Sequence, residues 1–241
     1  MQIDFSAREI TVKLVYYGPA LSGKTTNLQS LHDQSSAETR GRMMTLDTRD
    51  DRTLFFDMLP LTFTTEGGFA VRVKLFTVPG QVIHESTRRL VLSGADGVAF
   101  IADSRVAETQ ANAAAFRDLK ANLKANDLEL RALPLVIQFN KRDLPDIRSD
   151  QELAAQAERG KEPVFRATAV KHDGVVDTFL GLLHLTLRAL DRQNDLRGKF
   201  GFDRRSFLSA VAARFGDVSI DAHLARALTA PGGELSLAEG A

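Results

Sequence analysis

Two periods alternate along the chain. Short apolar runs rich in β-branched residues, at 10–17, 69–77, 98–103, 134–139 and 163–167, predict strands. Residues 61–65 predict a further strand, antiparallel to 69–77. Segments 25–31, 107–125, 150–158 and 175–192 carry helical spacing instead. The run Gly97-Val98-Ala99-Phe100-Ile101-Ala102 is apolar throughout, so that strand is expected to be covered on both sides. Apolar strands alternating with helices predict an α/β fold of three layers, a mostly parallel sheet with helices on both faces. Ligands of such sheets bind at the carboxyl ends of the strands, which directs attention to the loops that follow them. The alternation stops near Gln193. This divides the chain into a main domain, 1–193, and an extension, 194–241. In the extension, 204–215 sets Phe207, Leu208, Val211 and Phe215 on one helical face. That stripe is expected to pack on the main domain, the alternative being a helix that docks a partner. A second helix is expected over 220–228, and a disordered tail from Pro231-Gly232-Gly233 onward.

Composition narrows the classes. The chain has 241 residues, and its 31 Lys plus Arg balance 31 Asp plus Glu. A net charge of zero argues against a nucleic-acid binder working through bulk charge. No apolar run approaches the ~20 residues of a membrane helix. The opening Met1-Gln2-Ile3-Asp4 has no secretory pattern, and Gln2 excludes N-myristoylation. With no Cys there is no disulfide, thiol nucleophile, cysteine zinc site or prenyl anchor. A cytoplasmic protein without a lipid anchor is expected. The five His are scattered and show no metal-ligand spacing, so they read as packing or surface residues.

The loop after the first strand, Gly18-Pro19-Ala20-Leu21-Ser22-Gly23-Lys24-Thr25, fits G-x-x-x-x-G-K-[ST]. Gly23 allows a curl that turns successive N–H groups inward, toward a phosphate, and the next helix adds its positive end. Lys24 would neutralise the β- and γ-phosphates, and the Thr25 hydroxyl would ligate Mg²⁺. After the strand 134–139 comes Asn140-Lys141-Arg142-Asp143, the N-K-x-D that reads guanine in small GTPases. The Asp143 carboxylate would accept from guanine N1–H and the exocyclic amine, which adenine cannot offer. Lys141 would lie along the base and Asn140 would tie the loop together. Thr168-Ala169-Val170 falls where GTPases carry a Ser-Ala-Lys loop whose backbone meets the base oxygen, and shares only Ala169 with it.

Several segments together resemble the MglA family of bacterial Ras-like GTPases of gliding motility and cell polarity. They are Val15-Tyr16-Tyr17-Gly18-Pro19, Ser22-Gly23-Lys24-Thr25-Thr26-Asn27-Leu28, Asp51-Arg52-Thr53-Leu54-Phe55-Phe56-Asp57, Thr77-Val78-Pro79-Gly80-Gln81-Val82 and Asn140-Lys141-Arg142-Asp143-Leu144-Pro145. The resemblance spans about residues 5–192. It implies a Ras-like switch, on with GTP and off with GDP. It implies an MglB-like roadblock-fold activating partner, polarity or motility effectors, and recruitment from the cytoplasm to the cell poles. It also implies that Gln81 orients the attacking water, that Gly80 N–H senses the γ-phosphate, and that Arg52 acts in cis as an arginine finger. Thr77 stands where D-x-x-G GTPases carry aspartate, so Mg²⁺ would rest on Thr25 and a switch threonine, for which Thr53 is the candidate.

Ala20 departs from the family, whose members carry Gly at this loop position. Its methyl would crowd the approach of Gln81 and Arg52, and slow hydrolysis is expected. A nucleotide-locked scaffold is therefore the alternative to a working switch. A P-loop kinase using ATP is a third reading, opposed by Asn140-Lys141-Arg142-Asp143 and by the lack of an Arg-rich lid segment.

Overall fold

The computed structural model describes residues 1–46, 56–80, 85–216, 218–230, 235 and 237. In chain order the elements are β1 (Gln2–Asp4), β2 (Glu9–Tyr17), α1 (Lys24–Gln34), β3 (Met44–Leu46), β4 (Phe56–Thr64), β5 (Ala70–Thr77), α2 (Glu85–Leu92) and β6 (Gly97–Asp103). They continue as α3 (Thr109–Lys124), β7 (Leu135–Asn140), α4 (Asp150–Arg159), β8 (Val164–Arg166), α5 (Val175–Asn194), α6 (Leu196–Phe200), α7 (Arg204–Ala212) and α8 (Ile220–Leu224). Among the described residues the strands form one sheet in the order β3-β4-β5-β2-β6-β7-β8. From β5 across to β8 the neighbours run parallel, while β3–β4 and β4–β5 are antiparallel. β1 pairs antiparallel with Glu9–Thr11, next to the stretch of β2 that pairs with β6.

Alternation along each strand sorts its side chains into two cores. In β2, Ile10, Val12, Leu14 and Tyr16 face one core, shared with α1 and α5. Val15 and Tyr17 face the other, shared with α2, α3 and α4. β6 divides in the same way, with Ala99 and Ile101 on the first side and Val98, Phe100 and Ala102 on the second. This is the expected three-layer α/β fold, and it brings the loops after β2, β5, β6 and β7 to one end of the sheet.

Some elements differ from the sequence expectation. β4 begins at Phe56 rather than at residue 61, because Pro60 breaks the pattern without breaking the strand. The Pro60 ring nitrogen is turned away from β5, toward the side where β3 has not yet begun, so no ladder bond is lost. Its carbonyl accepts from Gly41 N–H at 2.9 Å. The helix expected over 220–228 ends at Leu224, and Leu228 exchanges two 2.8 Å backbone bonds with Val164 at the sheet edge.

Phe207, Leu208 and Val211 are buried in the first core, together with Phe200, Phe202, Ile220 and Leu224. Phe207 meets Phe63 of β4 edge-on, and Phe200 meets Phe69. Of the tail expected to be disordered, 231–234, 236 and 238–241 lie outside the described residues. Leu237 is buried in the first core and Leu235 packs against it. Leucine side chains close to a covered apolar face gain more by burial than they lose in chain freedom.

Candidate functional site

The loop between β2 and α1 wraps around Lys24. Its ammonium donates to the carbonyls of Gly18 (3.0 Å) and Pro19 (2.6 Å). Burial, with the nearby Arg88 charge, lowers the Lys24 pKa to about 8, although Asp57 acts in the opposite direction. The backbone turns left-handed at Leu21 and at Gly23, with φ of 60° and 95°. Leu21 is exposed at the tip, Ser22 is buried, and Thr26 lies half-buried in the first turn of α1. Gly23 cannot carry a side chain, because a Cβ there would come within 2.2 Å of Asn140 Nδ2.

Asn140 is the joint of the site. It is 2% exposed at the carboxyl end of β7. Its Nδ2 donates to the Ser22 carbonyl at 2.9 Å, and its Oδ1 accepts from Ala169 N–H at 3.0 Å. One amide thus fixes the phosphate-type loop, the Asn140–Asp143 loop and the Thr168–Val170 loop to one another. Thr168 closes the third loop by accepting from Lys171 N–H and donating to the Asp173 carbonyl. Ala169 N–H is committed to Asn140, and Val170, next along, is exposed.

Lys141 has a left-handed backbone, φ 68°, and its ammonium pairs with Asp103 at 2.6 Å. Burial would raise the Asp103 pKa, but the hydrogen bonds from Arg105 and Lys141 outweigh it and bring the value to about 2. The Asp143 carboxylate is partly exposed, 3.9 Å from the Lys171 ammonium.

Beyond β5, Gly80 presses on the phosphate-type loop. A Cβ on Gly80 would fall 2.4 Å from Ala20 Cα, so only glycine permits this approach. On the other flank, Thr25 Oγ1 donates to Asp57 Oδ2 at 2.6 Å. Thr77 Oγ1 donates to the same oxygen at 3.1 Å, and Thr45 Oγ1 donates to Oδ1 at 2.8 Å. The expected site residues Gly18, Ala20, Leu21, Ser22, Gly23, Lys24, Thr25, Thr26, Gly80, Asn140, Lys141, Asp143, Thr168, Ala169 and Val170 therefore gather at one end of the sheet. Arg52, Thr53 and Gln81 lie outside the described residues.

No protein-family model matches the chain. It is 44% identical over 190 residues to the mutual gliding-motility protein MglA of Myxococcus xanthus, covering 79% of this chain and 97% of that protein. The chain belongs to the MglA family of small GTPases. Its mixed sheet, phosphate-type loop and Asn140–Asp143 loop are the Ras-like architecture of that family.

In this MglA-family chain, sequence reasoning missed two residues of the site. Asp103 holds Lys141, and only the register β6–β7 places it there, since Asp103 faces Asn140 across the strand pair. Asp57 reaches Thr25 because β4 pairs with β5, and nothing local to residue 57 signals this. The donors around Thr25, a hydroxyl and a carboxylate, are hard oxygen ligands of the kind Mg²⁺ prefers. The residues present fit that ion.

Proposed function

We propose that this chain is a GTP/GDP switch that binds and hydrolyses GTP and controls bacterial cell polarity or gliding motility through partners selective for its GTP state. The observation that supports it best is the double hydrogen bond of Asn140. It joins a phosphate-type loop to a loop carrying the guanine-reading Asp143, as a single mononucleotide pocket requires.

In this reading the loop Gly18–Thr26 and the Lys24 ammonium meet the phosphates. Asp143 accepts from guanine N1–H and its amine, and the Lys141 stem lies along the base. With Ala169 N–H taken by Asn140, the donor for the base oxygen is Val170 N–H. Thr25 and Thr53 would hold Mg²⁺, which would supply positive charge against the phosphates. Gly80 N–H senses the γ-phosphate, Gln81 orients the water, and Arg52 stabilises charge in the transition state. An MglB-like roadblock protein and polarity or motility effectors are the partners. The protein works in the cytoplasm and is recruited to the poles. The 44% identity to a protein named for gliding motility supports this assignment. A nucleotide-locked scaffold is the second reading, favoured by Ala20 against Gly80.

The test is base selectivity. Fluorescent GDP and GTP analogues should bind and be displaced by guanosine but not adenosine nucleotides. Asp143→Asn should weaken GTP by ~10²-fold or more, since a site built to hydrogen-bond one base edge rejects an unmatched edge strongly, and should improve xanthosine triphosphate. Unchanged GTP affinity in the variant would overturn the pocket assignment.

A further inference from the structure

The segment after α5 returns to the sheet and grips it at two places. Leu228 exchanges two 2.8 Å backbone bonds with Val164, the first residue of β8. Asp177, in the first turn of α5, is hydrogen-bonded to His223 and paired with Arg226 at 3.0 Å. Asp177 is only 4% exposed. A carboxylate at that depth needs partners, and losing one leaves a buried charge uncompensated. Among the described residues both side-chain partners come from the segment after α5.

Between these two anchors runs one short loop, 167–174, which carries Val170. The loop has little slack. Thr168 and Asp173 exchange two backbone bonds, at 3.0 and 3.3 Å. His172, with φ 61°, sets its Nδ1 2.9 Å from Ser30 Oγ of α1. Gly174, with φ 69°, presses on the end of β8 so closely that a Cβ would come within 1.9 Å of the Arg166 carbonyl oxygen. A loop closed in this way cannot absorb a shift of α5 against β8, so the shift is passed to Val170 N–H. Asp177 and Arg226 also line a cavity of about 470 Å³ together with Asp173, Gly174 and Arg142 of the Asn140–Asp143 loop. The segment therefore reaches the back of both loops assigned to the base.

We propose that the segment after α5 tunes recognition of the base oxygen from behind, with Asp177, His223 and Arg226 as positioning residues that hold Val170 N–H in place for that oxygen. This rests on the guanine-nucleotide reading above. A hydrogen bond weakens steeply with misalignment, and a donor held in place discriminates best against a base that lacks the acceptor. The segment then has a part in nucleotide selectivity besides its part in the core.

The test compares the affinities of three unlabelled diphosphates, each displacing fluorescent GDP from the full chain. GDP and inosine diphosphate carry the base oxygen, and 2-aminopurine riboside diphosphate lacks it. The Arg226 side chain is half-exposed, so Arg226→Ala spares the fold. In that variant GDP and inosine diphosphate should weaken together by about 5–150-fold, the usual range of coupling between two sites. The 2-aminopurine nucleotide should bind as it does to the wild type, since it makes no bond to Val170 N–H. Asp177→Asn, which keeps the side-chain volume, should repeat this pattern, and Arg226→Lys should recover part of the lost affinity. Equal weakening of all three nucleotides makes the segment a general stabiliser and overturns the proposal. Unchanged affinity for GDP and inosine diphosphate in both variants overturns it too. A wild type that takes up GDP no better than ADP removes the guanine reading itself, and that failure is read before any variant is made.

Discussion

At the scale of single residues, the tightest constraint is between two backbones. Gly80 lies so close to Ala20 that a Cβ would overlap its Cα. Ala20 is itself exposed, on the loop that would face the terminal phosphate. In phosphoryl transfer the protein contributes mainly positioning and charge. A methyl at this approach is therefore expected to act on rate more than on binding. Ala20→Gly should raise single-turnover GTP hydrolysis by ~10–100-fold, the range associated with displacements of about 1 Å. Nucleotide affinity should change little. Equal rates in the two proteins, with and without an MglB-like partner, would leave the methyl without a role and favour neither switch nor scaffold through it.

At the scale of elements, α5 is the most buried helix of the described chain, and it contains a polar residue that burial alone explains poorly. His184 is fully buried, and neither ring nitrogen has a hydrogen-bond partner among the described residues. Burial, helped by Arg204 and Arg188, lowers its pKa from 6.5 to about 4. The native state therefore refuses a proton that the unfolded chain accepts. Its contribution is present above pH 6.5 and is lost as the pH falls through about 4. At full extent the difference is about 3 kcal/mol, at 1.36 kcal/mol per pKa step. Urea unfolding at several pH values should show stability falling over this window. His184→Leu should flatten that slope, since it removes the titrating group and leaves no ring nitrogen unpaired. Parallel slopes in the two proteins would mean that other groups govern acid stability.

At the scale of the whole molecule, the segment after α5 completes the first core. Phe200, Phe202, Phe207, Leu208, Val211, Ile220 and Leu224 lie against the face of the sheet that carries Phe63, Val71 and Val73. Each such side chain is worth roughly 1.5–3 kcal/mol when fully buried. Together they rival the 5–15 kcal/mol that stabilises a typical domain. Polar contacts fasten the end of the segment, since Asp177 of α5 is hydrogen-bonded to His223 and paired with Arg226 at 3.0 Å. Truncation after Gln193 should abolish a cooperative thermal transition or make the protein insoluble. A truncated chain that unfolds cooperatively at the full-length Tm would show that the segment is dispensable for the fold. The division of the chain at residue 193 would then be a division of stability as well as of pattern.

The local information in the chain was enough for the repeating elements and for the motifs. The phosphate-type loop and Asn140–Asp143 are continuous stretches whose backbone needs and donor sets are local, and so they are visible in one dimension. The stripe of Phe207, Leu208 and Val211 was visible too, because helical spacing is a short-range property. What partners each motif finds depends on register, and register is a property of pairs of strands distant in sequence. Tertiary structure alone set Asp103 beside Lys141, Asp57 beside Thr25, and Leu228 on the edge of the sheet. It also carried β4 through Pro60, since whether a proline harms a strand depends on which side its missing N–H faces. A cross-strand position is chosen by packing the whole sheet, and no window of neighbouring residues contains that choice.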